Sequence, residues 1–295
     1  MLFDKLKSLI EEPPPAMAFE ISEAGIAAAR TAGHAELEFQ PLKPGTLAIS
    51  PLKDNVLDTG EFDTVVRSLA ASQALRKRKD VALILPDFCT RVAVLDFDGF
   101  PGDAKEQASL VRFRLKRAVP FDIESAALSY FVQHSGKATE VVAVVAPLEI
   151  VARYEAPFRA AGMNPGLVMT SSLAALELAP EGGLTVVAKL SGHVLTVIVR
   201  QKHALKLVRC IELPSPALEE IAAVLLPTLV YIEDNLGGAA EAVLLCGFGP
   251  RAEEAAQSLR GELGVDVALL ESPLAVPGEH NAGLLGYLRS VARNN

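Results

Sequence analysis

The chain has no tryptophan, and all its aromatic residues together make up 5% of 295 positions. A core with so few rings has to be built from Ala, Val, Leu and Ile, and an apolar share of 50% supplies them. Cysteine is as sparse. Cys89, Cys210 and Cys246 are odd in number, far apart and set in apolar runs. That argues against a disulfide framework and reads as buried free thiols of a reducing compartment. His34, His134, His193, His203 and His280 show no ligand spacing with one another or with the cysteines, so no metal site is expected. Positive charge is in deficit, with a net charge of -8. Nucleic-acid phosphates need a basic surface, so a nucleic-acid role is disfavoured. The two basic runs, Arg76–Lys79 and Arg112–Arg117, are short and read as solvated helix faces. There is no secretory signal. No run reaches the ~20 apolar residues that cross a bilayer, and the longest, IAAVLLPTLVYI (221–232), contains Pro227. A soluble, cytoplasmic protein is expected. Neither a GxxxxGK[ST] loop nor a GxSxG elbow occurs.

What is present is a sequence of strand and helix signals long enough for about two domains at ~100–200 residues each. MLFDKLKSLIEEPPP (1–15) is set apart by its prolines. Leu2, Phe3, Leu6, Leu9 and Ile10 share one helical face, which suits a membrane-surface or docking segment over residues 1–12; a loosely ordered tail is the other reading. Three short strands follow, AMAFEIS (16–22), AGIAAAR (24–30) and AELEFQ (35–40), and then a helix from about Glu61 to Arg76. Asp58 and Glu61 form a capping-box pair, and Phe62, Val65, Val66 and Leu69 line its inner face. Residues 81–163 form a block of their own. In it, a helix starts at Asp103-x-x-Glu106, turns Ala104, Ala108, Val111, Leu115 and Ala118 inward and stops at Pro120. From Leu184 a new unit begins, headed by VVAKLSGHVLTVIVRQKHALKLVRC (186–210), three strands punctuated by Ser191-Gly192 and Gln201-Lys202-His203. Its order is βββαβαβα. Residues 16–80 with 164–180 repeat part of it.

Two βββα-headed halves with an α+β block lodged in the first resemble the actin-like superfamily, in its FtsA/PilM branch, and within that the PilM family of type IV pilus assembly. LPDFCTRVAVLDFDGFP (85–101), EQASLVRFRLKRAVPFDIESAALSYFV (106–132), APLEIVARYEAPFRAAGMNPGLVMTSSLAALEL (146–178) and VLLCGFGPRAEEAAQSL (243–259) carry the likeness, and their order carries it more than any one of them. The resemblance covers most of residues 16–290. It implies an α/β, actin-like fold: a first ribonuclease-H-like half (16–80 plus 164–180), an inserted α+β subdomain (81–163) and a second half (181–295).

The departures from the family pattern bear on function. In the family the first hairpin reads Asp-Ile-Gly-Ser and the second carries an Asp for the Mg²⁺-bound water. Here Glu20, Ser22 and Glu23 stand in the first, and Lys189, Ser191 and Gly192 in the second. The glycine that lets phosphate approach the first hairpin is gone, and Glu23 adds a repelling charge. In IELPSPALEE only Pro214 and Ser215 separate strand from helix, where the family places a subdomain that walls the nucleotide cleft. Glu20, Ser22, Lys189, Ser191, Gly192, Gly247 and Gly249 therefore read as the remnant of a nucleotide site, with no catalytic residue, metal or cofactor. The other reading keeps ATP and Mg²⁺, with Glu20 acting for Asp and the Gly247/Gly249 turn stacking adenosine. A dinucleotide fingerprint at Gly247-Phe248-Gly249 with Glu271 is a third, weakened by Pro250.

The resemblance also implies a partner: an inner-membrane pilus assembly protein whose N-terminal cytoplasmic segment lies in a groove between the first half and the inserted block, with this chain peripheral to the inner membrane. Arg112, Phe113, Arg117, Pro120 and Phe121 are the candidate contact residues, because aromatics beside arginines off a helix's inner stripe suit peptide grooves; the other reading packs Phe113 and Phe121 against the neighbouring strands.

Overall fold

A computed structural model describes residues 14–31, 36–72, 80–135 and 138–294. The N-terminal segment up to residue 13, the Arg76–Lys79 run and His34 lie outside the described residues.

Three strands open the fold: β1 (Met17–Ser22), β2 (Gly25–Arg30) and β3 (Glu38–Pro41). Helix α1 (Thr59–Ser72) follows, and Asp58 caps it by accepting the Glu61 amide at 3.0 Å. Phe62, Val65, Val66 and Leu69 are its buried face, as the helical spacing requires. Strand β4 (Asp80–Leu85) pairs in parallel with β1, and β8 (Asn164–Thr170) with β4. The first sheet has the order β3-β2-β1-β4-β8.

The second half repeats it. Strands β9 (Leu184–Ser191), β10 (Val194–Gln201) and β11 (Ala204–Glu212) form an antiparallel meander, then β12 (Ala242–Cys246) and β13 (Val267–Leu269) add in parallel. The order is β11-β10-β9-β12-β13. Helices α5 (Leu218–Leu236) and α6 (Ala252–Leu263) cover the outer face. Helix α5 runs on through Pro227, where a kink is expected, and ends at Gly237 in the left-handed region. Between β11 and α5 there are only residues 213–217.

The inserted block is smaller than 81–163. Its own antiparallel sheet, β5-β7-β6, consists of β5 (Arg91–Phe97), β6 (Ala126–Ser135) and β7 (Ala138–Pro147), crossed by helix α2 (Ala104–Leu115). Strand β4 belongs to the first sheet because its apolar run is flanked on both sides by parallel partners. Helix α3 (Leu148–Ala160) belongs there too, since Ile150, Tyr154 and Phe158 pack with Phe19 and Phe62. Asp103 caps α2 as read, but Pro120 does not end it. The helix stops at Leu115, and only Val111 and Leu115 are buried, while Ala104 and Ala118 are exposed. The block also leans on the second half. Val92 and Val142 share a core with Leu205 and Val208, Glu140 pairs with Lys206 at 2.6 Å, and the Leu205 amide donates to the Gln133 side chain at 3.1 Å.

Two helices lie between the large sheets. Helix α4 (Ser171–Ala175, prolonged by a 3-10 turn over Leu176–Leu178) follows β8, and α7 (Ala282–Asn294) ends the chain. By sequence order α7 belongs to the second half, but it packs on the inner face of the first, where Ala18, Ala27, Ala29 and Ala82 leave room for it. Leu285 on its other side joins the core of the second half.

Candidate functional site

Strand alternation decides where the remnant residues point. In β1, Met17, Phe19 and Ile21 face α1 and α3, so Ala18, Glu20 and Ser22 face the space between the halves. In β9, Val186, Ala188 and Leu190 face α5 and α6, which turns Val187 and Lys189 the same way from the opposite side. The ladders make the two positions equivalent in the repeat. Glu20 lies opposite Ala27 and beside Ile84, and Lys189 opposite Thr196 and beside Cys246. The two halves thus place charges of opposite sign at matching points.

Neither charge touches solvent, since Glu20 and Lys189 are each 2% exposed. The direct partner of Lys189 is Asp87, in the turn after β4. Its Nζ lies 3.2 Å from Asp87 Oδ2, and Asp87 is 7% exposed. The other Asp87 oxygen accepts the Ser172 amide at 2.7 Å, and Thr196 Oγ1 lies 3.4 Å from Oδ2. Glu20 accepts from Ser171 Oγ with one oxygen and from the Leu284 amide, at 2.8 Å, with the other. The two acids therefore hold the starts of the helices between the sheets: Asp87 that of α4, and Glu20 those of both α4 and α7. Carboxylates are favoured at such amide-rich ends.

Burial raises the Glu20 pKa, opposed by the charge of Lys189 and by the hydrogen bonds from Ser171, Leu284 and Gly283. Burial alone would lower the Lys189 pKa. The carboxylates of Asp87 and Glu20 overcome it and hold the ammonium above the ordinary lysine range. The neighbouring thiols are inert by the same cause: burial pushes both Cys210 and Cys246 up to about 12.

Above this charge cluster the hairpins border a cavity of about 340 Å³ whose lining includes Ser22 and Ser191, the acids Glu23, Asp87, Glu212 and Glu279, and the histidines His193 and His280. Among the lining residues there is no Lys or Arg. Gly192 opens to it with φ +57° and nothing within 4 Å of a Cβ. Gly247 is different. A Cβ there would sit 2.0 Å from the Leu190 carbonyl, and φ is +82°, so the glycine serves a tight strand-to-helix passage. A Cβ on Gly249 would lie 3.0 Å from Glu279 Oε1. Gly249–Arg251 forms a 3-10 turn before α6. Among the described residues no group of three or more His, Cys, Asp or Glu is placed to hold a metal ion.

The candidate contact residues on the inserted block separate into two kinds. The Arg112 guanidinium donates to the carbonyls of Ile123 and Ala126 and so fastens α2 to the start of β6. Phe121 packs against the subdomain core. These two are not free for a partner, because each satisfies its own subdomain first. Phe113 is 73% exposed, and Arg117 and Pro120 are exposed beside it. Replacing Arg112 by Met is expected to cost about 1.5–3 kcal/mol, since two carbonyls lose a charged donor. Phe113→Ser should stay within about 0.5 kcal/mol. Urea denaturation of both variants checks the pair. The reverse ranking would mean that Arg112 is not a structural residue.

No family model and no curated protein matches the sequence. Solved structures do match in shape. A chain of the PilM–PilN type IV pilus biogenesis complex superposes with a TM-score of 0.77 at 18% identity, over 95% of this chain and 99% of that one. The fold is actin-like. A protein of Bacteroides thetaiotaomicron with an actin-like ATPase fold and unknown function gives 0.56 at 12% identity, over 92% and 94%. The cytoplasmic domain of EpsL, an inner-membrane component of the type II secretion system of Vibrio cholerae, gives 0.54 at 12%, over 95% and 94%. The actin-like likeness thus runs over nearly the full length of each chain, both halves included. Among the described residues no helix is long and apolar enough to cross a membrane.

Asp87 is the functional candidate that sequence reasoning passed over. It lies inside LPDF, where a carboxylate following an all-apolar strand and a proline was the available signal. Ser171 and Ser172 carried none beyond a helix start.

Proposed function

We propose that this chain is a non-hydrolysing, actin-like scaffold of a type IV pilus or related secretion machine. In this reading it is cytoplasmic, peripheral to the inner membrane, and binds the N-terminal cytoplasmic segment of an inner-membrane partner. The observation that carries it is the Lys189 ammonium, held by Asp87 and Glu20 at the position where the family resemblance puts an Asp for the metal-bound water. A fixed cation there neutralises the acids that Mg²⁺ would otherwise need. Glu20 has both oxygens engaged by the protein's own donors, which leaves the rival ATPase reading without its acid. The acidic lining of the cavity opposes a triphosphate, and the 213–217 link leaves no wall for a nucleoside. The partner expectation draws on the similarity to the PilM–PilN chain, with Phe113, Arg117 and Pro120 as the surface still available on the inserted block.

Calorimetric titration with Mg·ATP is expected to give no binding at millimolar concentration, which bounds the interaction at less than ~4 kcal/mol. A saturable heat, or a rise of several degrees in melting temperature that requires Mg²⁺, would overturn the reading.

A further inference from the structure

Helix α5 has two apolar faces. Ile221, Ala222, Leu225, Leu229 and Ile232 pack onto the second sheet. On the opposite side Leu226 is 40% and Val230 55% exposed, with Ala223 and Pro227 exposed between and before them. Spacings of three and four residues align these on one stripe about 10 Å long at ~1.5 Å per residue. Pro227 has no amide proton to give to the Ala223 carbonyl, so the helix's own donor is missing on this side. Residues 213–217 pass straight from β11 to α5.

The charges that the helix itself carries are of one sign, and Arg91 and Lys206 approach it only beside Tyr231 and Asn235, off the stripe. Glu219 and Glu220 at one end and Glu233 and Asp234 at the other are all exposed. Between Arg209 and Arg251 the sequence contains no Lys, Arg or His. A second copy docking through the same stripe would set acids against acids, and an anionic lipid surface would be repelled likewise. The surface that complements it is apolar in the middle and basic at both ends.

We propose that the outer face of α5 is a docking site for a basic amphipathic helix of a partner protein. That helix carries apolar residues three and four apart, flanked by Lys or Arg. This site is separate from the groove beside the inserted block and does not depend on the ATP reading. Binding by a helix face in this way is anchored by the apolar residues and oriented by the flanking charges.

The test uses a synthetic helical peptide with leucines at i, i+3, i+4 and i+7 and lysines at both ends. Its twin carries glutamates in place of the lysines. Calorimetry on the full chain should give micromolar binding of the lysine peptide, and hydrogen exchange should show protection over residues 219–234. The glutamate twin should bind at least ~10-fold more weakly, a difference of ~1.4 kcal/mol. The double variant Leu226→Ser, Val230→Ser keeps the net charge and should also weaken the lysine peptide at least ~10-fold, with an unchanged circular dichroism spectrum. Equal affinity for that variant would mean that charge alone attracts the peptide, and the proposal fails. It also fails if the wild type does not bind. A concentration-dependent dimer that the same variant abolishes would assign the face to a second copy and overturn the proposal as well.

Discussion

Replacing Lys189 by methionine is expected to lower stability by about 3–5 kcal/mol, because it leaves two buried carboxylates without their cation. Asp87 loses its 3.2 Å partner and Glu20 loses the charge that opposes its desolvation, while both stay out of water. The melting temperature should fall by roughly 10 °C. The pH dependence has a definite sign. Lys189 has a folded pKa above its unfolded value, so its contribution is complete below about pH 10.4 and declines as the pH rises beyond it. Glu20 is the opposite case among acids. Its folded pKa is raised, so its share of stability is present in acid and is lost as the pH rises through that folded value. Without Lys189 the Glu20 pKa climbs further. The deficit of the variant should therefore grow as the pH rises through the Glu20 titration and shrink again above about pH 10.4. Urea denaturation of both proteins across pH is the measurement. A variant within about 0.5 kcal/mol of the wild type at pH 8 would remove the buried triad as the link between the halves.

Gly286→Ala should be almost as damaging, although a helix interior usually gains from such a change. A Cβ at Gly286 would lie 1.9 Å from the Ala174 carbonyl oxygen and 2.9 Å from the Ala175 Cα, all of it backbone. Neither α4 nor α7 can rotate away, because α7 also packs on the alanine face of the first sheet and on the core of the second half. Overpacking of this kind costs about 1–3 kcal/mol and more where backbone must move, and the upper end is expected here. Gly261→Ala in α6 is the control. Nothing lies within 4 Å of its Cβ, so it should stabilise by about 0.4–1 kcal/mol. Thermal melts of the two variants should move in opposite directions. If Gly286→Ala melts with the wild type, the close approach of α4 and α7 is not as described.

The architecture was legible because both halves announce themselves locally. The apolar strand runs MAFEIS and VVAKLS, the capping pair Asp58 and Glu61, and the Asp103 cap are short-range signals, and each appears in the structure at its expected place. Boundaries set by pairing were not legible. Strand β4 reads like any apolar run, and only its hydrogen bonds to β1 and β8 assign it to the first sheet rather than to the inserted block. Helix α2 was given too wide an inner face for a related reason. Periodicity tells which residues share a side, while the reach of the small β5-β7-β6 sheet decides how far along the helix burial extends.

For the site, the sequence by itself determined that a cation stands at Lys189 and an acid at Glu20, at matching places in the two hairpins. Only the tertiary structure decided how the cation is held. Asp87 reaches Lys189 across 102 positions, Leu284 reaches Glu20 across 264, and Ser171 reaches it across 151. A buried charge is tolerable only when donors and counter-charges converge on it. The two charges and the groups that hold them come from five separate elements, which chain order leaves far apart and the packing of two sheets around α4 and α7 brings together.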